Sequence, residues 1–315
     1  MTYSVGGLIQ AADINGFFVN NTNHLNDMWG TGSGDKGYGQ TTTSNKSVGD
    51  TIDHTEWASL VNKIIAAASH QGTSVTSRTA PVTNDLVAWL TAVDTDLGTI
   101  TTNRLNAAAA GSTGAATTNI NSGGTWSNSL SMVTSITFAD HNSARYFFNC
   151  GGQIGITASH ASGTNINGLI SNLCTDLGTI WLSAGTCTIG GVNYTGTTKI
   201  GGGNSAGATI STGTGFYQLS SSPTQLIQQT GDYVYNGGGW PVTTVNYTTG
   251  TFLRISASYN GSGTITITVL FDEVPNGATV AAGTVTSVVL RTPETTNITN
   301  SWGTPSVSAG AITRA

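Results

Sequence analysis

The stretch FLRISASYNGSGTITITVLFDEV, Phe252–Val274, decides the fold class. Apolar and polar residues alternate on both sides of NGSG, from Phe252 to Tyr259 and from Thr264 to Val274. A period of two puts one set of side chains on a core face and the other on a solvent face. Asn-Gly between two such runs is a strong short-range signal for an antiparallel hairpin. The segments SMVTSITF (131–138), TQLIQQT (224–230) and TVTSVVLRT (284–292) carry the same strand character. In the first of these Met132, Thr134, Ile136 and Phe138 fall on one side. FYQLS (216–220), YVYNGGG (233–239) and VTTVNY (242–247) are also read as strands. ADHNSAR (139–145) reads as a turn leading into one long strand, YFFNCGGQIGITAS (146–159), with Gly151 and Gly152 marking a bulge. INGLISNLCTDLG (166–178) interrupts this series. Its apolar Leu169, Ile170, Leu173 and Leu177 predict one helix lying across a sheet. The Gly- and Thr-rich run from Gly190 to Gly215 is expected to be a contact arm or an exposed flap.

Upstream of residue 107 the period is helical. SVGGLIQAADINGFF (4–18) is echoed by SVGDTIDHTEWASLV (47–61) at an offset of 43 residues, which places Ile14 on Trp57 and Phe17 on Leu60. The first copy predicts a helix from Ala12 to Trp29 with Ile14, Phe17, Phe18, Leu25 and Met28 on one face, stopped by Gly30 and Gly32. The second predicts a helix capped by Asp53 or Thr55, running to about His70 and ended by Gly72. A third is expected in PVTNDLVAWLTAVDTDLG (81–98), capped by Thr83 or Asn84, with a stripe of Leu86, Leu90, Val93 and Leu97; Trp89 is counted among its anchors. Ile14, Phe17, Trp57, Leu60 and Trp89 are the expected core or assembly anchors. Between the first two helices, GTGSGDKGYGQ (30–40) reads as a loop with a buried or docked Tyr38. The small, uncharged AAAAGSTGAATTNINSGG (107–124) reads as a linker. The expected fold is therefore α+β. A helical docking module (1–106) and the linker precede an antiparallel β-sandwich of jelly-roll type with one inserted helix (125–315), which should fold without the helices.

Composition narrows the function. Of the 315 residues 37% are hydrophobic, enough for a core, and only 8% are charged, against roughly 25% in an average domain. The net charge is −5 with ten Lys and Arg. No basic cluster is present to displace counterions from a nucleic acid or to hold a membrane surface, so neither is an expected partner. No apolar run approaches the ~18 residues of a membrane span, and MTYSVGGLIQ (1–10) lacks the pattern of a secretory signal. Cys150, Cys174 and Cys187 have no paired metal-ligand spacing and are expected to be buried free thiols.

No residue pattern nominates a catalyst, and no cofactor or metal is expected. His24, His54, His70, His141 and His160 are scattered without the i, i+4 pairing of a helical zinc site. DTDLG (94–98) starts like a calcium loop but lacks the further oxygen ligands. Asp140, His141, Ser143 and Arg145 are too close in sequence to converge as a triad. Asp272 and Glu273 are strand neighbours that face opposite sides. Tyr38, Tyr233, Tyr235 and Trp240 are candidate contact aromatics, on a subunit interface or on a glycan-binding face.

The segments GGLIQAADINGFFVNNTNHLNDMWGTGSGDKGYGQ (6–40), GDTIDHTEWASLVNKI (49–64) with HQGT (70–73), and ITFADHNSARYFFNCGGQIGITAS (136–159) resemble virion structural proteins of tailed phages of marine bacteria and cyanobacteria. TITITVLFDEV (264–274) and RTPETTNI (291–298) are similar too. GTGSGDKGYGQ is the most specific of these motifs. The resemblance implies a component of tail, neck or baseplate fibres, with a capsid decoration or head fibre, or a receptor- or glycan-binding module, as alternatives. It implies no catalytic residue. The expected partners are other copies of the chain, as a trimer or hexamer, other virion proteins and a host-surface glycan. The expected location is the virion, assembled in the host cytoplasm.

Overall fold

The computed structural model describes residues 10–20, 23–84, 90–203, 207–233, 245–246, 250–273 and 278–315. In chain order the helices and strands are α1 (Ala11–Asn15), a π-helical turn (Gly16–Asn20), α2 (Leu25–Met28), α3 (His54–Gln71), α4 (Leu90–Thr102), β1 (Ser112–Thr113), β2 (Thr117–Asn121), β3 (Ser129–Thr137), α5 (His141–Asn149), β4 (Gln153–Ser159) and α6 (Asn165–Leu177). There follow β5 (Thr179–Ile189), β6 (Val192–Ile200), β7 (Ala208–Ile210), a 3₁₀ turn (Phe216–Gln218), β8 (Thr224–Thr230), β9 (Asp232–Tyr233), β10 (Val245–Asn246), β11 (Phe252–Tyr259), β12 (Thr264–Asp272), β13 (Thr284–Thr292) and β14 (Ser306–Arg314). The fold is α+β with two six-stranded antiparallel sheets, neither closed on itself.

One sheet runs β1-β13-β4-β5-β6, with β2 also paired to β13. The other runs β14-β3-β12-β11-β8-β7. Early and late strands interleave: β13 lies between β2 and β4, and β3 between β14 and β12. The β11–β12 hairpin pairs in the register that NGSG dictates, Tyr259 with Ile265 through Phe252 with Asp272. In β3, Leu130, Met132, Thr134 and Ile136 are buried, the residues between them are half-buried and Thr137 is exposed, as the alternation requires. Helix α6 buries Leu169, Ile170, Leu173 and Leu177 and contacts β4 of one sheet and β8 and β11 of the other.

Helix α3 follows from its local sequence. Asp53 accepts the Thr55 amide at 2.7 Å, and Glu56 reaches back to the Asp53 amide at 3.0 Å, a reciprocal cap. Gly72 ends the helix in the left-handed region at φ 67°. The buried stripe is Trp57, Leu60, Val61, Ile64, Ala67 and Ala68.

Several expectations are corrected. The first helix is not continuous: α1 and its π turn end at Asn20, and α2 restarts at Leu25, where His24 Nδ1 accepts the Asp27 amide. Asn23 and His24 stand outside any helix, and Asn is a weak helix former. The turn and long strand expected over 139–159 are instead helix α5 followed by β4. Asp140 caps the helix by accepting the Ser143 amide at 2.7 Å, and the strand-like Tyr146, Phe147 and Phe148 are all buried on it. Gly151 (φ 89°) and Gly152, whose amide bonds the Phe147 carbonyl, end that helix rather than bulge a strand. FYQLS holds a 3₁₀ turn, not a strand. The expected arm at 190–215 carries β6 and β7. Ile189 pairs with Val192, and Gly190 and Gly191 make the two-residue turn with φ of 57° and 77°, a backbone glycine adopts without strain.

The expected linker is structural. Residues 112–113 and 117–121 are β1 and β2, both on β13. Nor does the core divide there. One continuous cluster joins Phe17, Trp57 and Leu97 of the helical segment to Ile136, Ile170, Ile255 and Ile267 of the β segment. The helices are therefore a layer of a shared core.

Candidate functional site

Ile14, Phe17, Trp57 and Leu60 are buried in this cluster, with Phe17 edge-on to Trp57 at 6.1 Å between ring centroids. Trp89, Leu86, Tyr235 and Trp240 lie outside the described residues. Tyr233 sits in the short β9–β10 pair. Tyr38 is fully buried, so it makes its contacts inside the chain.

Those contacts identify a densely bonded junction, the loop Gly30–Gln40. It leaves α2 as Gly30 donates to the Asn26 carbonyl, and a Cβ on Gly30 would lie 2.8 Å from that oxygen. The turn is held by Asp27, which accepts Ser33 Oγ and Lys36 Nζ, each at 2.6 Å. Burial alone would push the Asp27 carboxyl up; the bonds from Lys36 and Ser33 and the Lys36 charge outweigh it and leave it lowered. From α5, Arg145 donates to the Gly34 carbonyl at 2.8 Å and the Thr31 carbonyl at 2.6 Å. Asn149, also on α5, donates to the carbonyls of Asp35 (3.1 Å) and Gly37 (2.9 Å). Tyr217, in the 3₁₀ turn, donates to the Asp35 carbonyl at 3.0 Å.

The second half of the loop reaches the other helices and the C-terminal segment. The Tyr38 hydroxyl donates to the Arg104 carbonyl at 2.7 Å and accepts Gln71 Nε2 of α3 at 2.8 Å. The His70 ring stands edge-on to Tyr38 at 5.5 Å and bonds the Cys150 carbonyl through Nε2 at 3.2 Å. Burial holds the His70 imidazole down at about 4, so it is neutral and Nε2 is the donor. Arg104 forms an ion pair with Asp35. Gln40 donates to the Thr299 carbonyl and accepts the Thr299 amide, both at 2.9 Å. Gly39 (φ 66°) is so enclosed that a Cβ would lie 2.4 Å from the Tyr146 ring. One eleven-residue loop thus bonds α2, α3, α5, the 3₁₀ turn, the segment after α4 and the segment before β14.

Of the residues weighed for chemistry, Arg145, His70 and Cys150 lie at this junction and the others are placed apart from it. His141 stacks on Phe216 and bonds the Tyr259 hydroxyl at 2.9 Å. His160 lies between Thr284 Oγ1 and Asn167 Oδ1, and burial lowers its pKa. Asp94 and Asp96 are on α4, not in a loop; buried Asp96 pairs with Arg78 and accepts the Thr76 amide. Glu273 is buried, accepts the Ala278 amide at 3.1 Å and has its pKa raised by burial. The cysteines are free and buried; burial pushes the Cys174 thiol up to about 12 and Cys187 to about 11. Among the described residues no three His, Cys, Asp or Glu side chains are grouped to hold a metal, and no helix is long and apolar enough to cross a membrane.

Asn149, Gln71 and Thr299 were not singled out by sequence, and Arg145 was weighed there only as a member of a triad. The one available signal was Arg145 beside an apolar AxYFF run, since a buried guanidinium must find carbonyl or carboxylate partners. No family model, characterised protein or solved structure matches the chain.

Proposed function

We propose that this chain is a non-catalytic structural component of a tailed-phage particle, an appendage of tail, neck or baseplate that assembles as a homo-oligomer, a trimer or hexamer. The observation that carries this reading is the role of the Gly30–Gln40 loop. The most specific motif of the resemblance, GTGSGDKGYGQ, is engaged throughout in bonding helices to one another and to the segment before β14. A likeness concentrated in such a motif speaks for shared architecture rather than shared chemistry. The low charge agrees with a protein whose surface is largely covered by neighbours. The finer architecture belongs to the same proposal: an antiparallel sandwich of jelly-roll type with one inserted helix. Interleaved early and late strands, and a helix in contact with both sheets, support it.

The test is location. Particles from a producing lysate are purified, stripped of soluble protein, analysed by mass spectrometry and labelled with a gold-conjugated antibody against the chain. The expected result is a fixed copy number per particle, with label at the tail, neck or baseplate. A chain that stays in the soluble fraction would overturn the proposal.

A further inference from the structure

The four sheet edges are unequally protected. The β6 and β7 edges are in contact, Thr197 Oγ1 of β6 donates to the Thr214 carbonyl in the segment after β7 at 2.7 Å, and β7 is only three residues long. The edge opposite β6 is broken into β1, of two residues, and β2, of five. Short, broken or covered edges are how sheets avoid pairing with other chains.

The β14 edge is different. It spans nine residues, SVSAGAITR, and pairs with β3 alone. It contains no proline, lysine or acidic residue, and its one charge is Arg314. Among the described residues, no group outside β3 bonds Ser306–Ala309, and Ser306, Ser308 and Ala309 are exposed. A bulge between Ala309 and Ile312 ends the regular ladder, so this four-residue stretch is the open template. Beside it runs a groove of about 500 Å³ whose lining includes Thr117, Glu294, Trp302, Pro305 and Val307.

We propose that Ser306–Ala309 pairs antiparallel with the same stretch of a second copy, joining two six-stranded sheets across a two-fold axis. Antiparallel pairing is self-complementary, so one edge serves both partners. Charge fixes the direction. A two-fold through Ser308, which sets Val307 opposite the partner's Ala309, runs the partner's strand past Pro305 toward the Glu294 end of the groove, carrying its only cation there. Glu294 Oε1 accepts the Thr296 hydroxyl at 2.6 Å and the amides of Thr295 and Thr296, each at 3.1 Å; these bonds, the hydroxyl's above all, hold the carboxyl below its usual range, so it is charged. Arg314 uses Nε on Asn121 at 2.6 Å, which leaves its terminal nitrogens for a partner. The two-fold does not depend on the virion reading: it is compatible with a dimer or a dihedral hexamer, and not with a plain trimer.

The test is the mass of the full chain by sedimentation equilibrium at micromolar concentration, with circular dichroism to confirm folding. Neighbouring strand amides point to opposite sides, so one of Val307→Pro and Ser308→Pro removes a β3 ladder bond and the other only the outward amide. The expected results are an even copy number for the parent and a folded variant of half the parent mass from one of the two prolines. Arg314→Glu should weaken pairing by about tenfold or more, and Glu294→Arg added to Arg314→Glu should restore it. A monomeric or trimeric parent overturns the proposal, and a trimer does so while leaving the virion reading intact. Folded proline variants that both keep the parent mass, or a charge reversal without effect, also overturn it. If both prolines unfold, the charge reversal and its restoration decide.

Discussion

Removing one oxygen, in Tyr38→Phe, tests the junction with least disturbance. The ring stays, so no cavity opens and the contact with His70 is kept. What is lost is a fully buried hydroxyl that donates to the Arg104 carbonyl and accepts Gln71 Nε2. Burial raises the phenol pKa far above neutrality, so the hydroxyl is a donor at any working pH. Gln71 Nε2 keeps a second partner in the Ile100 carbonyl at 2.9 Å, so its share of the loss is small. The Arg104 carbonyl, on a half-buried residue, loses this donor, which costs what such a bond contributes, about 0.5–1.5 kcal/mol. Tyr38→Ala adds the cavity of a large aromatic side chain, and the total should reach about 3–5 kcal/mol or more. Urea unfolding of parent and both variants measures the two differences. A Tyr38→Phe variant within about 0.5 kcal/mol of the parent, the lower end of what such bonds contribute, would refute the claim that this hydroxyl fastens the helices to the segment after α4.

Three further outcomes follow from the same geometry. Gly39→Ala must give up a left-handed φ and press a methyl against the Tyr146 ring at 2.4 Å; thermal melts should show it among the most destabilising single-methyl changes in the chain. Trp57→Ala empties a buried site packed edge-on to Phe17 and should cost about 3–5 kcal/mol, whereas a melting curve matching the parent would place Trp57 outside the core. For acid stability, burial lowers His70 to about 4 in the folded chain from about 6.5 when unfolded. Its contribution is full above pH 6.5 and is lost as pH falls toward 4, amounting to about 2 kcal/mol by pH 5. His160, also lowered, acts in the same direction, and Glu273, raised, acts in the opposite one. Urea midpoints at pH 7 and pH 5 should differ accordingly, and His70→Gln, which keeps a donor for the Cys150 carbonyl, should flatten the difference.

Where local chemistry is decisive, the fold was legible in the sequence. The Asp53 cap, the Gly72 stop and the NGSG hairpin each rest on a few residues whose backbone preferences leave little choice. The misreadings have the opposite cause. Tyr146, Phe147 and Phe148 prefer strands, yet Asp140 caps them into a helix whose buried face outweighs that preference. β5 and β14 escaped because IWLSAG does not alternate and SVSAGAITR has little apolar content; pairing with neighbouring strands decides both. β1 and β2 resemble a linker for the same reason, and only β13 makes them strands. At the junction Tyr38 was visible as an aromatic among glycines. Its partners Gln71 and Arg104, with Asn149, Tyr217 and Thr299 around the same loop, were not, because they come from elements up to 263 residues away from it, as the Tyr38–Ser301 bond illustrates.

The central claim is that the helical segment and the two sheets share one core fastened by the Gly30–Gln40 loop. Scanning calorimetry of the full chain tests this most directly. A shared core requires one cooperative transition, with calorimetric and van't Hoff enthalpies that agree. It also requires Gly39→Ala to lower that single transition as a whole. Two resolved transitions, the lower shifted by Gly39→Ala and the upper untouched, would show that the helices and the sheets unfold separately and would contradict the account.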